Sequence, residues 1–440
     1  MTNRENPISR FFKILGGLAL AFLCSGAPAL AYGVLSHEAL VDTAWEKEVL
    51  PILKQRYPGT PADALQECRA YAYGGCIMPD MGYYPFGSKL FTDLVHYVRS
   101  GDFVLALIDE ARSPQELAFA LGALAHHCGD REGHSIGINR VVPLTYPKLR
   151  EKFGQEVTYE EKPSAHLKVE FAFDVIHIAR GKYLPKNYHD FIGFEVAREP
   201  LERAFRRVYG LELEDVIPNV DLAIGSFRRT ASRIIPKMTE AAWQAKKDDI
   251  LKSAPETTRE QYVFALAKAD YEKEWGKGYR EPGALAKLLA LIVKVLPKTG
   301  PFRALAFQVP TPEEEKMFDR SFEEAAKLYR TSLDRYARGA KLDVDGENLD
   351  TGKPTRPGSY ALADAAYSKL LVKLAKQDFE GAAPALLADL RAYNAELSRG
   401  PSPDRHGPSR RKIERALEAL ARAPGATEEP PVSAARTSLR

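Results

Sequence analysis

Residues 124–134 read LAHHCGDREGH. Three of the nine histidines in the 440-residue chain fall in this one stretch, together with an aspartate. A helix advances 100° per residue, so positions four apart lie one above the other. His126 and Asp130 are such a pair, and both can reach one metal ion. His134 lies a further turn on, about 80° around from His126, and faces a neighbouring ion better than the same one. The pairing recurs in HLKVE, where His166 and Glu170 are again four apart. Two such pairs on separate helices are how helical bundles build multinuclear metal sites. The chain is therefore expected to be mostly helical and to bring at least two of its helices together around cations.

Composition agrees with that class. The chain is 45% hydrophobic and 28% charged, ordinary values for a soluble globular protein. Few segments alternate with the period of a strand, and Leu, Ala, Lys, Glu and Arg dominate the interior stretches. Residues 1–31 read as a secretory signal peptide. Arg4, Arg10 and Lys13 precede the apolar run ILGGLALAFL, and small residues follow in SGAPALA. That run is too short to span a bilayer comfortably. Cleavage after Ala31 leaves Tyr32 as the first mature residue, and cleavage after Ala29 leaves Leu30. The protein is thus expected to be secreted or periplasmic. Cys68, Cys76 and Cys128 remain after cleavage, an odd number that leaves at least one thiol unpaired; Cys68 and Cys76 are near enough in sequence to pair.

The net charge of +3 is unevenly placed. The first 31 residues hold three bases and one acid, and residues 399–440 hold nine bases and five acids, so the body between is near −3. Such a body has no global electrostatic reason to bind nucleic acid, and none is expected as a partner.

Helical patterning starts at Ser36 and runs to about Arg56, where Pro58-Gly59 ends it, and resumes over 62–72. YGGCIMPDMGYYPFGS reads as a Gly/Pro-rich loop leading into a short helix or turn, KLFTDLVHYVRSGD. Pro114 to about Asp130 is a strong helix, with Ser113 at its cap and Pro114 in its first turn. A further helix carries AHLKVEFAFDVIHIARG and stops at Gly181. Others are expected near 196–209, 219–234, 239–252, 258–274, 283–295, 312–338 and 359–376, with a loop over 340–358. From Ser398 the composition turns to Pro, Arg, Ala and Ser, as in a disordered tail, with SRRKIERALEALAR as one short helix.

Upstream of the opening stretch, His37, Asp80 and His96 are further candidate ligands. Imidazole with carboxylate suits zinc, and manganese or iron on ligand type alone. Asp93, three residues before His96, competes with Asp80. His127 points away from His126 and reads as packing or support for a ligand. His177 and His189 read as structural, and His406 as solvated. Tyr83, Tyr84 and Phe86 either line a substrate mouth and hold a quaternary ammonium by cation–π contact or pack the loop against the helices. DVDGEN (343–348) hints at calcium, but its glycine falls too early for an EF-hand loop.

Four pieces in order, YGVLSHEAL, PDMGYYPFGS…LVHYVRSGD, LGALAHHCGDREGH and HLKVEF, cover residues 32 to about 175. In that order they resemble the zinc-dependent phospholipase C family, which is related to the S1/P1-type nucleases. The resemblance implies an all-α bundle with up to three zinc ions. One ion would sit on the α-amine and carbonyl of Tyr32 with His37. A second would take Asp80, His96 and His126, with Asp130 bridging these two. A third would take His134, His166 and Glu170. An α-amine titrates near ~8, so it can bind metal at neutral pH. The chain departs from the family in three places: Tyr32 stands where tryptophan is usual, the spacing from Asp130 to His134 is shorter, and the span from His134 to His166 is longer. The membrane-binding β-sandwich of some family toxins has no counterpart here.

The expected organisation is a signal peptide (1–31), a catalytic domain (32–275), a helical extension (276–397) and a disordered tail (398–440). The expected activity is hydrolysis of phospholipids to diacylglycerol and a phosphorylated head group. A water acidified between ions would attack phosphorus in line, with Asp80 orienting or deprotonating it. The expected partners are the phospholipid and, transiently, a membrane surface, with the protein itself a monomer. An S1/P1-like nuclease or nucleotidase, and a catalytically inactive metal-binding interaction protein, are the alternatives.

Overall fold

The structure is a computed structural model, and it describes residues 32–181, 194–231, 235–257, 304, 306–344, 346–397 and 407–423. The expected helices near 258–274 and 283–295, the boundary near 275 and the signal peptide lie outside these residues. Within them the fold is all-α, as the sequence predicts, with one two-residue antiparallel strand pair.

Two helices form the axis of the bundle, α3 (Ala62–Ile77) and α6 (Pro114–Glu132). Ser113 caps α6 as expected, its Oγ accepting from the Glu116 amide at 3.2 Å. The two helices meet through glycines. A Cβ on Gly75 would lie 1.9 Å from the Phe119 carbonyl oxygen, and one on Gly122 would lie 2.0 Å from that of Ala72. Each helix thus presses its backbone against the other where it has no side chain, and Ala118, Ala123 and Leu121 fill the space around the contact. The polar end of α6 is thereby carried into the interior, and residues 117–130 are buried throughout.

The expected first helix is built in three parts: α1 (Val34–Ala44), a π-helical turn (Trp45–Val49) and α2 (Leu50–Arg56). The Gly/Pro-rich stretch is not one open loop: its first five residues end α3, and Met78–Tyr83 form a 3₁₀ helix. It leads into α4 (Lys89–Tyr97), which Ser88 caps, and α5 (Ser100–Glu110). Beyond α6 the chain takes a second π-helical turn, Gly133–Ile138, and continues as α7 (Asn139–Thr145), α8 (Pro147–Phe153) and α9 (Pro163–Ala179). After these come α10 (Arg198–Tyr209), α11 (Val220–Arg229), α12 (Ile235–Ser253), α13 (Pro312–Ala337), α14 (Ala361–Ala375), α15 (Pro384–Leu397) and α16 (Arg410–Arg422).

The C-terminal half enters the same core. The long α13 lies along α6, the second π turn and α1, and α14 packs on α4. One hydrophobic cluster runs from Tyr32 to Leu420. The short helix foreseen in the tail is present as α16. It lies on α14 and α15 and buries Ile413, Ala416 and Leu420, so one face of it is part of the core. The 340–358 loop forms the strand pair, Glu347–Asn348 with Lys353–Pro354, laid against α4 and α5. Cys68, Cys76 and Cys128 are buried free thiols, so the pairing that the spacing of Cys68 and Cys76 allows does not form. Among the described residues no helix is long and apolar enough to cross a membrane.

Because the atoms opposing Gly75 and Gly122 are backbone, they cannot rotate away. Gly122→Ala or Gly75→Ala is expected to destabilise the fold by about 1–3 kcal/mol, read as a lower Tm; an unchanged Tm would contradict this close helix approach.

Candidate metal centre

Five of the predicted residues converge at the inner end of α6. His126 and Asp130 stand one above the other on α6. His37 comes from α1, Asp80 from the 3₁₀ helix and His96 from α4. All five are buried, with 0–4% of their surface exposed. His37, His126 and Asp130 form one group able to hold a cation, and Asp80, His96 and His126 a second. Asp130 sits at the junction: His37 Nε2 is 3.2 Å from Oδ1, and the Nε2 atoms of His96 and His126 are each 3.2 Å from Oδ2. His96 Nε2 also lies 3.4 Å from Asp80 Oδ1.

The backbone decides which imidazole nitrogens face this junction. His96 Nδ1 donates to the Thr92 carbonyl and His126 Nδ1 to the Cys76 carbonyl, each at 2.8 Å. A carbonyl can only accept, so the proton of each neutral ring is on Nδ1 and its Nε2 carries a lone pair. These two Nε2 atoms are 3.1 Å apart. Lone pairs so placed, with the carboxylates of Asp80 and Asp130 alongside, repel unless a cation or a proton lies between them. None of the four oxygens of Asp80 and Asp130 and neither ring nitrogen of His37 has a hydrogen-bond partner. Buried polar atoms are rarely left so, and the donor set fits zinc.

Without a metal, a proton takes the cation's place. Burial alone would push His96 down, but the carboxylates of Asp130 and Asp80 outweigh it and hold its imidazolium up to about 10. Burial opposes the charge of Asp130, yet His126, His37 and His96 together keep its carboxyl well below the usual range. His37 is lowered, first by burial and then by its neighbour His126, on which it stacks with ring centroids 4.4 Å apart.

A third group lies beside these. His134 falls in the π-helical turn after α6, where the wider winding shifts its direction from that of a continued α-helix. It meets His166 of α9, with ring centroids 5.6 Å apart. His166 Nε2 donates to the Val157 carbonyl at 2.6 Å, which leaves Nδ1 toward the site, 3.7 Å from Glu170 Oε1. The carboxylate that groups with both histidines is Asp350, whose Oδ1 is 3.2 Å from His134 Nδ1. Burial lowers His134 and His166 to about 4, which keeps both rings neutral and free to bind metal at ordinary pH. Glu170 is pushed well above the usual carboxylate range, by burial first and then by Asp80, Asp130 and Asp350.

Asp350 is the site residue that sequence reasoning missed. It has no helical partner four residues away, and its role depends on a loop folding back over 200 residues onto Asn139. The neighbouring DVDGEN motif contributes none of its described residues to a cation-holding group.

The remaining candidates separate clearly. Tyr32 is fully buried. Its hydroxyl meets Ser321 Oγ at 2.8 Å, and its ring packs on Phe318 and lies 5.8 Å from that of His37. A tyrosine therefore fills this position in a tightly packed pocket. Asp93 accepts from Lys89 Nζ at 2.8 Å and belongs to no cation group. His127 is buried 3.7 Å from Glu347. His177 packs between Phe173 and Phe318. His189 and His406 lie outside the described residues. Of the three loop aromatics, Tyr83 alone adjoins the cluster, its ring edge-on to His96 at 6.5 Å. Tyr84 is buried against Phe227, and Phe86 is half exposed. The Lys89 ammonium lies 5.7 Å from the Tyr83 ring and 5.9 Å from that of Tyr159, so the chain's own cation sits over both.

Residues 29–217, less than half of the chain, match the family model described as zinc dependent phospholipase C, and over that span the chain is similar to this family. No curated protein and no solved structure matches the chain. The family supports a hydrolase of the phospholipase C type, and the His/Asp groups are compatible with metal binding.

The His96 proton gives a direct test. A raised imidazolium contributes stability that is full below its unfolded value of 6.5 and is lost as pH rises through about 10. Metal-free protein is therefore expected to lose stability between those values. Zinc binding at pH 8 should expel this proton, and His96→Gln should lower the protons released by about one. Calorimetry in buffers of different ionisation enthalpy reads the count; an unchanged count in the variant would contradict the assignment.

Proposed function

We propose that this chain is an exported zinc-dependent phosphodiesterase that hydrolyses phospholipids to diacylglycerol and a phosphorylated head group. The observation that carries the reading is the junction at Asp130, where two carboxylates and three imidazoles converge in a buried space as two groups able to hold a cation. Asp130 would bridge two ions, one with His37 and the Tyr32 backbone, the other with Asp80, His96 and His126. His134, His166 and Glu170 would serve the third. Zinc bound there would supply Lewis acidity toward phosphate and a lowered pKa for water.

The chain's own residues would do the rest. The Thr92 and Cys76 carbonyls hold the two imidazoles in one tautomer and one orientation. Asp80, with both oxygens lacking a hydrogen-bond partner, would orient the attacking water and take its proton. Tyr32, clamped by Ser321 and Phe318, would present its α-amine beside His37 once the leader is removed after Ala31. Tyr83 at the edge of His96 and Lys89 above it would flank the phosphorylated head group. The protein would act as a secreted or periplasmic monomer, touching a membrane surface only while bound to its lipid.

The test is turnover by protein processed through its own leader, on phosphatidylcholine vesicles and on single-stranded DNA. Hydrolysis of the vesicles alone is expected. Asp80→Asn should lower kcat on vesicles about 100-fold or more. Cleavage of DNA with no action on vesicles would overturn the phospholipase reading in favour of a nuclease, and no turnover of either would overturn both.

A further inference from the structure

The strand pair at Glu347–Pro354 is laid across the candidate centre by backbone contacts. The Leu349 amide donates to the His96 carbonyl at 3.1 Å, Ser100 Oγ donates to the Glu347 carbonyl at 2.6 Å, and Asn139 Nδ2 donates to the Asp350 carbonyl at 2.6 Å. These contacts join the loop to α4, α5 and α7 and place Asp350 2% exposed beside His134.

The two oxygens of Asp350 are treated differently. Oδ2 accepts from the Tyr360 hydroxyl at 2.5 Å and from the Tyr159 amide at 3.1 Å. Oδ1 has no hydrogen-bond partner, and it faces His134 Nδ1, which has none either. His166 Nδ1 completes the trio, likewise without a hydrogen bond, and the three atoms lie within 4.8 Å of one another. A carboxylate whose outer oxygen is tied by two donors and whose inner oxygen is bare beside two imidazoles has the layout of a metal ligand with its supporting shell.

Asp350 lies outside the span that matches the family. We propose that Asp350 is a protein ligand of the third ion together with His134 and His166, so that this ion fastens the C-terminal half to the catalytic half. This rests on the metal-centre reading above.

The test is zinc content by elemental analysis, with the rate of zinc release to a chromophoric chelator, on the full processed chain. Wild-type protein should hold three zinc ions. Asp350→Asn should hold one zinc fewer, with an unchanged far-UV circular dichroism spectrum. Tyr360→Phe, which keeps the packing and removes one of the two donors to Oδ2, should keep the full count but bind one zinc about 10-fold more weakly. If Asp350→Asn and Tyr360→Phe both match the wild type in count and release, the role of Asp350 is overturned and the centre stands. If wild-type protein binds no zinc, both fall together.

Discussion

The structure depends most on what surrounds Asp130. One buried carboxylate meets three imidazoles, each at 3.2 Å, with a second carboxylate, Asp80, beside them. Groups of this kind are costly to take out of water unless charge and lone pairs are matched. In the metal-free chain the match is a proton held on His96. A divalent cation matches it better, because it satisfies several lone pairs at once where a proton joins only two. The geometry of the bundle follows from keeping these groups together: α1, α4, α6 and the 3₁₀ helix each deliver one or two of them to the same point.

The glycine contact brings α3 and α6 together at backbone distance, and it carries the Cys76 carbonyl close enough to orient His126. The π turn at Gly133–Ile138 then redirects His134 away from the Asp130 junction and into the neighbouring group. The stretch before α9 supplies two supports: the Val157 carbonyl fixes the tautomer of His166, and the Tyr159 amide holds Asp350. The stretch between His134 and α9 thus forms part of the wall of the site.

Much of the centre was legible because it is helical. His126 with Asp130 and His166 with Glu170 show themselves by a spacing of four, and the mostly helical character follows from the same periodicity. His37, Asp80 and His96 carry no such internal signal and became interpretable through the ordered resemblance to a family. What stayed hidden depends on contacts distant in sequence. Asp350 has no periodic partner and lies in a stretch whose acidic motif drew attention to residues 343–348 instead. The burial of one face of α16 was equally unreadable, since a basic, amphipathic tail helix looks solvated until α14 and α15 are seen beneath it. The loop aromatics show the limit of composition: three adjacent rings share one motif, yet one is core, one is surface and one borders the centre.

The most direct measurement is anomalous X-ray scattering at the zinc edge from crystals of the processed protein. The account predicts two peaks on either side of the Asp130 carboxylate, one toward His37 and one toward Asp80, His96 and His126. It predicts a third between His134, His166 and Asp350. A map with no peak at Asp130, in crystals grown with zinc present, would contradict it.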